Sequence, residues 1–363
     1  MIIVPVGKPE IIMSNTGEKH NYFGWPTAKR LQDSRIAVAA SGFRLYHVCP
    51  FGKAVIAFSD DEGKSYTAPA AVIDTVLDDR DAGLCTFGES GLILTSFNNT
   101  VEFQRECNQS NLEQGNENGK YIADYLDTVS PEEEKKVLGS TFKISTDCGK
   151  SFGELHVSPV TSPHGPIELK NSEILWVGAT FRCDDAFNKG EEMLFAYTVS
   201  PDGTMTKVGT IGKAYNEKGE MLHSNEPYAF QLSSGRIICH FRTEQNFTLY
   251  QSISDDNGRT WTEPERLMPD NGGAPAHIIE HSSGVLISAY GYREQPYGIR
   301  AMLSTDGGES WSTGHVICDG FPSDDLGYPT TVELSDGSLL TVFYAKTKKG
   351  APCAIMQQRW ELK

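Results

Sequence analysis

The apolar residues of this 363-residue chain fall in short stretches broken by polar turns, and its 35 glycines and 18 prolines are spread along the whole length. Such punctuation predicts many short strands joined by hairpins. No stretch approaches the 18 or more apolar residues of a bilayer-spanning helix. The opening Met1-Ile2-Ile3-Val4-Pro5 lacks the basic and long apolar regions of a signal peptide. A cytoplasmic protein is the expectation, or a secreted one if a leader has been removed.

The pattern repeats. Six units of strand, tight turn and β-rich strand begin at Trp25-Pro26, Asp81-Ala82, Gly165-Pro166, Glu226-Pro227, Ala274-Pro275 and Tyr328-Pro329. They end near Arg44, Asn98, Arg182, Arg242, Arg293 and Tyr344. A second motif, Ser-x-Asp-x-Gly-x-(Ser/Thr)-aromatic, runs from Ser59 to Tyr66, Ser145 to Phe152, Ser254 to Trp261 and Ser304 to Trp311, with a degenerate copy at Ser200-Pro201-Asp202-Gly203. It has the chemistry of a hairpin: Ser and Asp side chains bond turn amides, Gly supplies positive φ, and the aromatic caps the core between sheets.

Six such units predict an all-β fold, a six-bladed β-propeller of four-stranded antiparallel blades forming one domain over residues 1–363. The last unit has only three strands, ending in Cys353 to Leu362, so an N-terminal strand, Ile2-Ile3-Val4 or Glu10-Ile11-Ile12-Met13, should close it and remove the free edge. An acidic insertion, about 107–136, interrupts the second blade and has a helical look near Pro131-Glu132-Glu133-Glu134. It reads as a solvated excursion in preference to a lid.

Composition narrows the function. A hydrophobic content of 39% with 22% charged residues permits a sizeable core, and 32 basic against 48 acidic residues give a net charge of −16. That charge repels nucleic-acid backbones and anionic membranes, so neither is an expected partner. The eight cysteines form no C-x-x-C pair and read as reduced core thiols. Asp78-Asp79-Arg80-Asp81 reads as a salt-bridged turn in preference to a calcium site, with Asp81 as a rim carboxylate. No cofactor and no metal is called for, and oligomeric state is left open.

Candidate chemistry follows from position. In a propeller the first strand of each blade starts, and the second ends, at the mouth of the central channel. Trp25, Asp81, His164 or Gly165, Glu226, Ala274 and Tyr328 therefore share a rim with Arg44, Arg182, Arg242 and Arg293. Converging guanidinium groups in an acidic protein point to a small anionic ligand, because their fork matches a carboxylate.

These residues resemble the sialidase superfamily, six-bladed propellers with the same Asp-box hairpins, over nearly the whole chain. Asn225-Glu226-Pro227 through Arg242 is similar to the strand pair that carries a glutamate and a carboxylate-binding arginine. Gly327-Tyr328-Pro329 through Gly337 is similar to the nucleophile-tyrosine segment. The resemblance implies a glycoside hydrolase acting on an acidic, sialic-acid-like sugar. In it Tyr328 attacks the anomeric carbon, Glu226 accepts its proton, and Arg242 and Arg293 bind the carboxylate, with Arg300 as the rival of Arg293. Arg44 or Arg182 would reach further substituents, and Trp25, His47 and His164 would line the sugar.

Two departures stand out. Gly24-Trp25-Pro26 replaces the family's Arg-Ile-Pro, and His47-Val48-Cys49-Pro50-Phe51-Gly52-Lys53 carries no carboxylate where the acid-base aspartate belongs. Asp81 is the first choice of replacement acid, with His47 and Asp325 as alternatives. A lyase or hydrolase of another acidic glycan, and a non-catalytic carbohydrate-binding propeller, remain the competing functions.

Overall fold

The computed structural model describes residues 1–180, 193–269, 273 and 275–363. Among them the chain opens with strand β1 (Ile3–Met13) and then forms the first blade from β2 (Tyr22–Arg30), β3 (Ile36–Arg44), β4 (Lys53–Ser59) and β5 (Ala70–Ile73). The second blade is β6 (Arg80–Phe87), β7 (Gly91–Phe97), β8 (Ser140–Ser145) and β9 (His156–Ser158). The third is β10 (Ile167–Glu168), β11 (Ile174–Ala179), β12 (Leu194–Val199) and β13 (Met205–Ile211), followed by a small hairpin, β14 (Ala214–Tyr215) and β15 (Met221–Leu222). The fourth is β16 (Ser224–Gln231), β17 (Ile237–Thr243), β18 (Thr248–Ser254) and β19 (Glu265–Arg266). The fifth is β20 (Ala276–Glu280), β21 (Leu286–Tyr292), β22 (Gly298–Ser304) and β23 (Ser312–Asp319).

The sixth blade joins β24 (Gly327–Glu333), β25 (Leu339–Lys346) and β26 (Cys353–Leu362) to β1 from the other end of the chain. β1 pairs antiparallel with β26 from Ile3↔Leu362 to Met13↔Ile355, across a bulge between Val6 and Glu10. Both segments proposed as the closing strand are therefore used, in one bulged strand, and the expected six-bladed ring is closed.

Each Asp box is the hairpin between the third and fourth strands of its blade. Ser59 Oγ donates to Asp61 Oδ1 at 2.9 Å and accepts from Gly63 N at 2.9 Å, while Ser65 Oγ donates to Asp61 Oδ2 at 2.6 Å. The copies at Asp147, Asp256 and Asp306 repeat these bonds. The hairpins also join neighbouring blades. A Cβ at Gly63 would meet Leu340 of the sixth blade at 2.6 Å, and Tyr66 Oη donates to Gln357 of that blade at 2.8 Å. Between the sheets lie buried clusters such as Phe23, Trp25, Val38, Val342 and Tyr344, which unite the first and sixth blades.

The insertion comprises α1 (Val101–Glu113), α2 (Glu117–Leu126) and α3 (Pro131–Val137) between β7 and β8. α3 starts with a reciprocal Ser130–Glu133 capping box and Pro131 in its first turn, the reason the segment looked helical. A solvated excursion is not what the structure shows. Ile122 and Leu126 bury themselves against Leu45 and Cys49, and Tyr121 stacks on Phe51 at 4.7 Å. Apolar residues on one face of α2 thus fix the insertion over the mouth side of the first two blades. All seven described cysteines are free, and all but Cys107 are buried.

Candidate active site

The site is built by one backbone device used several times. Trp25, Asp81, Glu226 and Tyr328 each lie near the start of the first strand of a blade, with φ of 53°, 47°, 50° and 50°. At each the strand register slips, between Gly24 and Thr27, Arg80 and Gly83, Asn225 and Tyr228, and Gly327 and Thr330. A bulge with left-handed backbone re-aims a side chain toward the channel mouth, at a strain of about 1–3 kcal/mol per non-glycine residue. Pro26, Pro227 and Pro329 fit there because a bulge needs no ladder donor. In the third blade Gly165, with φ of 77°, takes this conformation without a side chain.

Tyr328 and Glu226 meet across the mouth, the Tyr328 hydroxyl donating to Glu226 Oε1. Glu226 Oε2 lies 2.9 Å from Arg242 Nε as an ion pair, while the Nε–H donates to Asn225 Oδ1 at 3.1 Å. Burial, with the neighbouring Glu226 and Asp81, pushes the Tyr328 phenol well above its ordinary pKa, so it stays neutral until a base takes its proton. Asp81 is 6% exposed, and its Oδ1 has no hydrogen-bond partner among the described residues. Burial raises its pKa to about 7; Arg80 opposes the shift and Glu226 adds to it. A carboxyl that keeps its proton near neutrality can act as an acid.

A cavity of about 580 Å³ gathers Asp81, Glu226, Arg242, Arg80, His47 and Asn225, with Phe97 and Phe103 as apolar wall. Phe103 lies on α1, so the insertion borders the site. A second hollow, about 380 Å³, is lined by Arg293, Tyr344, Phe247, Asp325 and again His47. Arg293 donates to Leu326 O at 3.1 Å and to Tyr344 Oη at 3.3 Å, and its guanidinium is 5.9 Å from the Tyr328 ring. Its rival Arg300 lies within β22, stacks on Tyr292 at 4.8 Å and faces Asp319 at 3.7 Å, so Arg293 is the one at the mouth.

Three expected sugar contacts take other roles. Arg44 is fully buried, 2.5 Å from Asp78 Oδ1, and also donates to Ser41 Oγ and His47 O. A guanidinium satisfied inside the first blade cannot reach a ligand; Asp78, which precedes the rim, holds it there. Trp25 is 1% exposed because Arg80 covers its indole at 4.3 Å and the His47 ring meets its edge at 4.9 Å, making it a platform beneath the site. His164 is completely buried, its Nδ1 3.1 Å from Thr27 Oγ1, and burial drives its pKa down to about 3. Arg182 lies outside the described residues.

Arg80 is the residue that the sequence reading passed over. It lines the cavity, its Nε has no partner among the described residues, and its Nη1 donates to His47 O at 3.0 Å. The signal was its place directly before Asp81, at a strand start. Asp79, between it and Asp78, is a structural carboxyl bonded to Thr75 N at 2.6 Å and Thr75 Oγ1 at 3.0 Å.

Residues 117–341, more than half of the chain, match the BNR repeat-like domain family. A protein of unknown function from Dyadobacter fermentans is similar over 99% of both chains, with a TM-score of 0.76 and 19% identity. The NanB sialidase of Streptococcus pneumoniae is similar over 99% of this chain and 71% of its own, at a TM-score of 0.67 and 12% identity. The intramolecular trans-sialidase of Ruminococcus gnavus is similar over 98% of this chain and 97% of its own, at a TM-score of 0.63 and 13% identity. At such identities the likeness is one of fold. The chain belongs to the BNR repeat-like domain family, and its six-bladed propeller has the fold seen in these sialidases.

Proposed function

We propose that the mouth hydrolyses glycosides of a small acidic, sialic-acid-like sugar. The observation that carries this reading is the chain of contacts from the Tyr328 hydroxyl to Glu226 and from Glu226 to Arg242. A phenol is a weak nucleophile at neutral pH, and a carboxylate that accepts its proton during attack makes it a strong one. An uncharged phenol also avoids repulsion with the carboxylate of the incoming sugar, which an anionic nucleophile would not.

In the first step Tyr328 Oη bonds to the anomeric carbon, its proton passes to Glu226, and the glycosidic bond breaks. Asp81, protonated up to about pH 7, gives its proton to the leaving oxygen. Arg242 and Arg293 bind the sugar carboxylate from the two sides of the mouth, and Arg80 adds a third positive charge. The test is turnover of aryl glycosides of acidic sugars. Tyr328→Phe is expected to lose about 10³-fold or more of the wild-type rate while still binding the sugar. Unchanged turnover removes the nucleophile assignment, and binding by the wild-type protein without turnover at any pH replaces hydrolysis by recognition.

A further inference from the structure

The Tyr328–Glu226 pair and Asp81 account for bond breaking, yet water must then be activated to release the sugar from Tyr328. One group at the mouth is oriented for that and has no use in the first step. His47 borders both hollows, with its side chain 53% exposed, on the loop above the buried strand starts. Its Nδ1 lies 3.2 Å from Tyr22 Oη and 3.5 Å from Asp325 Oδ1. Tyr22 Oη donates to Asp325 Oδ1 at 2.9 Å. The Tyr22 proton being committed to Asp325, its oxygen accepts from His47, so the imidazole proton sits on Nδ1 and the Nε2 lone pair is free. Nε2 has no hydrogen-bond partner among the described residues.

The anchor is firm. Burial works against the charge of Asp325, but bonds from His47 and Tyr22 and the ammonium of Lys346, 3.3 Å away, hold its carboxyl well below the usual range. Asp325 therefore remains an acceptor at any pH near neutrality. The packing of its inner edge against Trp25 lowers the pKa of His47, Asp325 opposes this, and Arg80 and Arg44 reinforce it. The ring is neutral and basic where the protein would work. Asp81, by contrast, lies beneath the mouth with 6% of its surface exposed, whereas His47 stands at the opening through which water enters.

The geometry points to His47, positioned by Asp325 and Tyr22, as the general base that activates the water releasing the sugar from Tyr328. In that step the water oxygen bonds to the anomeric carbon and the carbon–Tyr328 oxygen bond breaks. Glu226 returns its proton to Tyr328, and the water proton goes to His47 Nε2. His47 then gives that proton to solvent, and Asp81 regains one from solvent, so the cycle closes. This rests on the hydrolytic reading above.

The experiment separates the two steps by leaving group and by nucleophile. With an aryl glycoside of an acidic sugar, whose phenolate leaves without help, His47→Ala releases one equivalent of phenol in a burst. Its steady rate then falls about 10²-fold or more, and a glycosyl adduct accumulates on Tyr328, visible by mass spectrometry of the intact protein. Azide needs no deprotonation, so it restores the rate and yields a glycosyl azide. Asp81→Asn shows the reverse dependence, slow with an alkyl leaving group and nearly normal with an aryl one. Asp325→Asn, a positioning variant, loses less than His47→Ala and also responds to azide, which a change that merely loosened the loop would not do. His47→Gln, of similar size, covers the case in which the alanine variant fails to fold. An active wild type whose His47 variants show neither burst nor azide response overturns the proposal alone. A wild type that turns over no acidic glycoside overturns the hydrolytic reading and this proposal together.

Discussion

Aspartates at the two ends of the blades meet opposite environments. In the hairpins on the face away from the mouth, Asp61, Asp147 and Asp306 accept bonds from Ser65, Ser151 and Ser310 and from turn amides, which lower their pKa to about 2. At the mouth, burial raises Asp81 to about 7 and its Oδ1 has no partner among the described residues. The backbone differs less. Glu62, Cys148 and Asn257 in the hairpins have φ of 62°, 56° and 59°, much like the rim residues Trp25, Asp81, Glu226 and Tyr328. A repeated motif whose polar atoms are all satisfied is a structural part. One shared backbone shape that carries a different side chain in each blade, with polar groups left unpaired, is where chemistry is placed.

The contrast can be broken at either end. The largest effect is expected at Glu226, where Glu226→Gln keeps the shape but cannot accept the Tyr328 proton. Turnover should drop by about 10²–10⁴-fold with little change in melting temperature; an equal loss of both would make Glu226 a structural residue. Arg44→Leu tests a polar rim residue assigned to structure. Removing it strands Asp78 in the interior and should cost about 3–5 kcal/mol of stability in denaturant unfolding. A stable Arg44→Leu protein with weakened sugar binding would return Arg44 to the site.

Asp81 comes next. Its folded pKa lies above the unfolded value, so from about pH 4 to 7 the native state holds a proton that the unfolded chain releases, and stability falls as pH rises through that window. Asp81→Asn does not titrate, so its advantage over wild type should grow from pH 4 to 7, by at most about 4 kcal/mol at ~1.4 kcal/mol per pKa unit. A difference independent of pH would show that Asp81 is not a buried acid. Asp79 is shifted the same way but is present in both proteins. The smallest change is expected in the hairpins: a Cβ at Gly308, whose φ is 86°, would collide with Ile238 of the preceding blade. Gly308→Ala should lose about 1–3 kcal/mol and leave turnover unaltered, so a turnover defect would tie the far face to the mouth.

Much of this was legible in the residues themselves. The hairpin motif and the six strand starts specify blades because turn chemistry is local, and the three-stranded last unit calls for a strand from the other terminus. Tyr328, Glu226, Asp81 and Arg242 could be placed at the mouth because a repeat fixes which positions face the channel. Position in the repeat does not fix what a side chain does on arrival. Arg44 and Arg242 both end second strands, yet only Arg44 has Asp78 waiting inside the blade. Nor does it reveal contacts between distant segments. The meeting of Tyr22, His47 and Asp325 spans three parts of the chain, and Phe103 reaches the cavity from an insertion outside the repeat. Trp25, which breaks the sialidase pattern, proves to be the surface on which Arg80 rests.

The pairing of β1 with β26 sets a schedule for synthesis. Ile2 and Lys363 bond to each other in both directions, N to O at 2.6 and 2.9 Å, although they lie far apart along the chain. Tyr328 begins the innermost strand of the blade that this pairing completes. Residues 3–13 must therefore wait, unpaired, until Cys353–Leu362 emerges, and Tyr328 is fixed against Glu226 only when the ring shuts. A growing chain therefore has no complete sixth blade, and no closed mouth, until residues 353–362 have been made.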